Sequence, residues 1–142
     1  MPDDVRATRV IATWAAAWDR GEVDALDGLL SPKYRRRTSP AEEGQSLAEF
    51  KSSILAARSA FPDLTTTIDE IVTGGDRMAV RWRSSGSHQG SFRGVPPTHR
   101  SVEVGGATFA RFEGDLVVEE YVTWDPRALL TALGIISVGE DR

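Results

Sequence analysis

Apolar residues recur at Val10, Ile11, Trp14 and Trp18, a spacing of three and four that predicts one helical stripe between about Asp4 and Arg20, ended by Gly21. Ala12, Ala15, Ala16 and Ala17 keep the neighbouring surface small enough for another element to approach. A second short helix is expected from about Val23 to Leu30, stopped by Ser31-Pro32, with Lys33 to Thr38 as a short strand behind it. Ser46 and Glu49 form a capping-box pattern in front of Leu47, Phe50, Ile54, Leu55 and Phe61, so a third helix starts there and breaks at Pro62-Asp63.

Beyond that break the period changes from helical to alternating. Leu64 to Thr73 is rich in Thr, Ile and Val, and Gly74-Gly75-Asp76 supplies a hairpin turn. Met78, Val80 and Trp82 then alternate with Arg77, Ala79, Arg81 and Arg83, as in a half-buried strand. A polar, glycine-rich loop from Ser84 to Thr98 separates this strand from another over Ser101 to Phe112, and Gly114-Asp115 turns into the last. There Val118, Val122 and Trp124 lie on one face and Glu119, Tyr121, Thr123 and Asp125 on the other. Asp125-Pro126, Leu129, Leu130 and Gly134 read as N-cap, first-turn proline, short helix and terminal glycine. Helices first, then strands joined by tight turns, then one helix, argue for an α+β fold with helices packed on a curved antiparallel sheet over a pocket.

Composition narrows the class. The 142 residues suit one domain, 1–142, and the chain has no cysteine, which removes disulfides, thiolate metal sites and cysteine nucleophiles. A formal net charge of -4 predicts no nucleic-acid partner and no attraction to an anionic membrane. No apolar window is long enough for a membrane span, and MPDDVRATRV lacks the apolar stretch of a secretory leader, so a cytoplasmic location is expected. The one basic cluster, Lys33, Arg35, Arg36 and Arg37, reads as a charged strand edge. Its alternative is one arginine turned inward to an anionic ligand.

Candidate chemistry centres on Asp125, at the strand-to-helix corner. A carboxylate held against apolar surface has a raised pKa and can act as a base, whereas one that caps a helix is held ionised by the helix end. Both readings stand on the residues alone. His88, in the glycine-rich loop, would polarise a ligand carbonyl or be a plain surface histidine; His99 is expected to be exposed. Tyr121 shares the Asp125 face and has a hydroxyl to donate. Glu119 is expected to pair with Arg81 or Arg111. Trp14, Trp18, Trp82 and Phe109 would wall a pocket for a flat ligand or serve as ordinary core. Two isolated histidines give no metal-binding pattern.

Taken in order, Phe61-Pro62-Asp63-Leu64, Gly75-Asp76-Arg77, His88-Gln89-Gly90, Gly94 with Pro96-Pro97-Thr98, Arg111-Phe112, and Glu119 followed by Tyr121 and Asp125 make a pattern that covers nearly the whole chain. Ala17-Trp18-Asp19-Arg20-Gly21 and Leu26 extend it through the helical part. The pattern resembles the SnoaL-like polyketide cyclases, a branch of the nuclear transport factor 2-like superfamily. The resemblance implies a conical α+β barrel with a deep apolar cavity, a homodimer formed through the sheet, and a hydrophobic small-molecule substrate. It also implies ring closure of an aromatic polyketide intermediate by intramolecular aldol condensation, without metal or cofactor, in secondary metabolism such as antibiotic biosynthesis. An aspartate matching Asp125 would be the acid/base, with His88 and Tyr121 assisting. Two departures stand out: Arg36, Arg37 and Thr38 replace a His or Asn common on that strand, and Tyr121 replaces a Trp. Related members are hydroxylation components, isomerases or dehydratases, and a non-enzymatic ligand-binding module on the same fold is the remaining alternative.

Overall fold

The structure, a computed structural model, describes residues 3–135. Helix α1, Asp3–Trp14, runs on through a wider π-helical turn, Ala15–Asp19, and a 3-10 segment, Val23–Gly28, leads into strand β1, Leu30–Arg37. Helix α2, Leu47–Ala60, is followed by strands β2, Thr65–Gly74, β3, Arg77–Ser87, β4, Ser101–Glu113, and β5, Leu116–Trp124. A short helix α3, Pro126–Ala132, follows the last strand. The second expected helix is therefore a tighter 3-10 piece, and Ser31-Pro32 lies inside β1. Pro32 is tolerated because β1 is an edge strand, where a missing N–H costs no ladder bond.

The sheet order is β1-β5-β4-β3-β2. β2 to β5 form the expected antiparallel meander, but β1 pairs parallel to β5, so the sheet is mixed. The strand contributed by the helical half returns beside the last strand in the same direction, an arrangement that needs the long crossover through α2 and β2 to β4. Register shifts between Leu30 and Arg35, Ile68 and Glu70, and Arg111 and Phe112 bend the sheet. It stays open among the described residues, with β1 and β2 as its edges, rather than closing into a barrel.

Strand alternation sends Met78, Val80, Ala110, Phe112 and Val117 to one face, where they join Val10, Trp14, Leu26, Phe50 and Ile54 of the helices. A second cluster, Ala60, Phe61, Val102, Leu129 and Leu133, closes the other end. The space between the two clusters is the cavity described below. α2 is fixed by the capping box at Ser46, complete with both reciprocal bonds to Glu49. α1 is clipped to both hairpin turns: the Arg6 guanidinium donates to the carbonyls of Gly75 at 2.8 Å and Gly114 at 3.2 Å. Asp19 Oδ1 accepts the Thr66 backbone N–H at 2.8 Å, tying the π-helical turn to β2.

Not every apolar residue of the expected stripes is inside. Ile11 is 50% exposed and Leu55 49%, while Ile54 is fully buried. Ile54→Ala is expected to cost about 3 kcal/mol, the transfer and void terms of a sealed core site, and Ile11→Ala less than about 0.5 kcal/mol. Urea unfolding of the two variants measures the difference.

Candidate active site

Between the two core clusters lies a cavity of about 360 Å³, within the range of small-ligand sites. Trp14 and Trp18 reach it from α1 and the π-helical turn, Phe50 from α2, Trp82 from β3, and Trp124 from β5. Trp82 lies flat against the sheet because its cross-strand partner on β4 is Gly106. A Cβ at Gly106 would stand 2.6 Å from the indole and 2.5 Å from the Thr123 carbonyl oxygen. The indole N–H donates to Thr108 Oγ1 at 3.0 Å, so the ring is fixed at both its flat face and its polar edge.

The ionisable residues of the lining are Arg36, Arg93 and Glu120. Glu120 sits at the middle of β5 on the same face as Val118, Val122 and Trp124, and is 4% exposed. The Tyr34 hydroxyl, on the neighbouring β1, donates to Glu120 Oε1. Burial drives the Glu120 carboxyl above its ordinary range, while the Tyr34 bond and the nearby Arg36 charge pull it back. Tyr34 is pushed well above its own ordinary value, first by burial and then by Glu120, and so stays a donor. Tyr34 is itself sealed behind Phe50, with ring centroids 5.8 Å apart, and acts on the cavity only through the carboxylate.

β1 places Arg36 by the same alternation. Arg35 and Arg37 face away, toward Glu43 at 3.6 Å and Glu119 respectively, and Arg36 turns inward with its guanidinium 4.7 Å from the Phe50 ring centroid. Of the two readings of the basic cluster, the edge description fits Arg35 and Arg37, and the inward one fits Arg36.

The expected site residues divide. Trp14, Trp18 and Trp82 line the cavity. Phe109 does not: it is 52% exposed on the opposite face of the sheet, because Thr108 and Ala110 take the inward positions of β4. Tyr121 shares that outer face, where it pairs across the ladder with Phe109. Asp125 lies outside the cavity lining, exposed, and its Oδ1 accepts the Arg127 backbone N–H at 2.9 Å. It is the helix cap of the two readings. Glu119 pairs with Arg111 at 3.6 Å and with Arg37, as one of the expected partners requires.

His88 is neither a surface residue nor a cavity residue. It is fully buried and stacked on Phe61 with centroids 5.3 Å apart. Its Nδ1 accepts the Thr98 backbone N–H at 3.1 Å, and its own N–H and carbonyl bond Arg100 and His99. These bonds pinch the base of the loop 89–97, whose Gly90 rests on the end of α2 where a Cβ would be 2.4 Å from the Ser59 carbonyl oxygen. The loop in turn lays Ser91, Phe92 and Arg93 along the cavity. His99 is exposed, as expected. Among the described residues no three of His, Cys, Asp and Glu come together as a metal site needs, and no helix is long and apolar enough to cross a membrane.

The SnoaL-like polyketide cyclase model matches residues 8–133. The chain belongs to that family. Among solved structures, this SnoaL-like chain is similar to AclR from Streptomyces galilaeus, for which a hydroxylase role has been suggested, with a TM-score of 0.84 at 28% identity over 96% of this chain and 85% of AclR. TsrD from Streptomyces laurentii gives 0.85 at 27% identity over 96% and 100%. IdmH from Streptomyces antibioticus, suggested to be a polyketide cyclase, gives 0.75 at 27% over 91% and 98%. No curated protein is similar enough to match it.

The residue that sequence reading passed over in this SnoaL-like chain is Glu120. Its signal was present: an acid standing on the apolar side of an otherwise regular alternation. Because its folded-state pKa is raised, Glu120 contributes stability that is complete below the ordinary glutamate value of 4.5 and is lost as pH rises through the folded value. Glu120→Gln keeps the Tyr34 bond and removes that loss, so the variant's melting temperature relative to the unsubstituted protein is expected to climb as pH increases above 4.5. Asp125→Ala should cost about 1 kcal/mol through the lost cap, read by urea unfolding.

Proposed function

We propose that the chain is a cyclase-type enzyme that moves protons on a hydrophobic carbonyl compound held in the cavity, with Glu120 as the acid/base and intramolecular aldol ring closure of an aromatic polyketide intermediate as its reaction. The observation that carries this reading is a buried carboxylate, raised in pKa, facing a cavity walled by four tryptophans in a chain of this family. Ionised Glu120 takes a proton from the carbon next to a carbonyl, and the resulting enolate carbon attacks a second carbonyl of the same molecule, forming the ring C–C bond. The new alkoxide then recovers a proton from Glu120, which returns to its ionised form. Ser84 on β3, whose hydroxyl lies 3.2 Å from that of Thr66 in the same lining, offers a neutral donor to the reacting oxygens. Tyr34 acts through the carboxylate as a positioning residue: its hydrogen bond steadies the charged form against the burial that favours the neutral acid. Trp14, Trp18 and Trp82 hold the ring system and exclude water.

The likeness to AclR supports a second reading, in which the enolate made by Glu120 reacts with oxygen and a separate reductase supplies the electrons. Oxygen uptake that depends on an added reductase would favour it over ring closure.

The outer face of the sheet supports a homodimer. Val72, Ala79, Phe109 and Tyr121 form one apolar row across β2, β3, β4 and β5, with Val72 57% and Phe109 52% exposed. Along one side of that row Arg111 pairs with Glu119 and along the other Arg81 pairs with Glu70, so the flanking charges are met within the chain and the apolar row is the part a two-fold copy would cover.

Two experiments follow. With 2-acetonaphthone in heavy water, the protein should catalyse deuterium exchange at the methyl carbon, and Glu120→Gln should slow it by about a hundredfold or more, as seen by proton NMR. An unchanged rate would remove Glu120 from the mechanism. Phe109→Glu should convert the dimer to a folded monomer in sedimentation analysis without changing the exchange rate.

A further inference from the structure

Arg36 is a cavity-lining cation with no ion pair of its own. Among the described residues its guanidinium makes no ion pair and no hydrogen bond, and its contact is with the face of Phe50, 4.7 Å from the ring centroid. Glu120 lies close enough to Arg36 for the two charges to attract but makes no ion pair with it. Glu120 is engaged by Tyr34, and Arg93, on the loop, adds a second positive charge stacked 5.2 Å over Phe92. Around these charges the walls are aromatic: Trp14, Trp18, Trp82 and Phe50. A guanidinium whose N–H donors are not taken by protein acceptors is open to an anion, which gains charge-assisted hydrogen bonds there in a site of low dielectric.

We infer that Arg36 is the anion-binding subsite of this cavity, and that the chain takes a flat aromatic compound carrying an ionised carboxylate, which docks on the Arg36 guanidinium while its rings lie among the tryptophans. This rests on the cavity being the substrate site, and it adds the substrate's charge to that reading. It also orients the molecule. With the carboxylate held on β1 and Glu120 on the adjacent β5, the carbon to be deprotonated lies on the same side of the ring system as the anchoring group. Arg36 thereby selects free acids over neutral esters or amides of the same skeleton.

The test compares 2-naphthoate with 2-naphthamide, which share shape and ring system, by titration calorimetry at low salt. The unsubstituted protein is expected to bind the acid about tenfold or more tighter than the amide. Arg36→Met should abolish that preference while leaving amide binding within about twofold, and Arg36→Lys should keep part of it. Glu120→Gln should retain the preference, so loss of proton exchange in that variant and loss of acid selectivity in Arg36→Met report on the two roles separately. Equal binding of acid and amide by the unsubstituted protein would overturn the inference and leave the acid/base reading of Glu120 standing. Selectivity removed by Arg93→Gln and kept by Arg36→Met would also overturn it, and binding of neither compound would overturn both it and the cavity as substrate site. The comparison in the unsubstituted protein decides the matter even where Arg36→Met fails to fold.

Discussion

Burying a carboxylate costs several kcal/mol in lost hydration, and the region around Glu120 is built to meet part of that cost. One oxygen accepts the Tyr34 hydroxyl, and the Arg36 charge lies close enough to lower the penalty without forming an ion pair. Full compensation by a direct ion pair would fix Glu120 as a permanent anion. Partial compensation leaves it above its ordinary range and able to exchange a proton. The parallel pairing of β1 with β5 makes this possible, since it brings Tyr34 and Arg36 beside Glu120 on one face of the sheet.

The period of two along each strand then assigns the two faces different work. On the inner face of β5, Glu120 sits between Val118 and Val122 and looks into the cavity. One residue later, Tyr121 is on the other side with Phe109, Ala79 and Val72, where the sheet offers an apolar row to a neighbour. Gly106 and Gly90 serve the inner face by letting Trp82 and the 89–97 loop come closer than any side chain would allow. His88 holds the base of that loop, a structural use of a histidine that a polar, glycine-rich stretch conceals.

Much of this is legible in the amino-acid sequence. The capping box at Ser46, the hairpin turns at Gly75 and Gly114, the strand alternation through Met78, Val80 and Trp82, and the α+β class all follow from local rules that the tertiary structure reinforces. The parallel β1 was not, because strand direction depends on where the chain crosses over, which no local pattern encodes. In the site, Trp14, Trp18 and Trp82 were readable from their stripes and Asp125 from its cap signal. Asp125 lies outside the cavity because it follows the last residue of β5 and turns to cap α3, and the inward acid of that strand, Glu120, breaks a hydrophobic pattern instead of making a motif. Phe109 misled for the complementary reason: an aromatic on a strand is expected inside, and the parity of β4 puts it out.

The central claim is that Glu120 titrates above a free glutamate while remaining able to ionise. Carbon-13 NMR of side-chain carboxyls, with the Glu120 resonance identified by its absence in Glu120→Gln, reads this directly. The account predicts a midpoint above 4.5 that moves higher still in Tyr34→Phe, where the donor that favours the charged form is gone. A midpoint at or below 4.5, or one that falls on removing the Tyr34 hydroxyl, would contradict it.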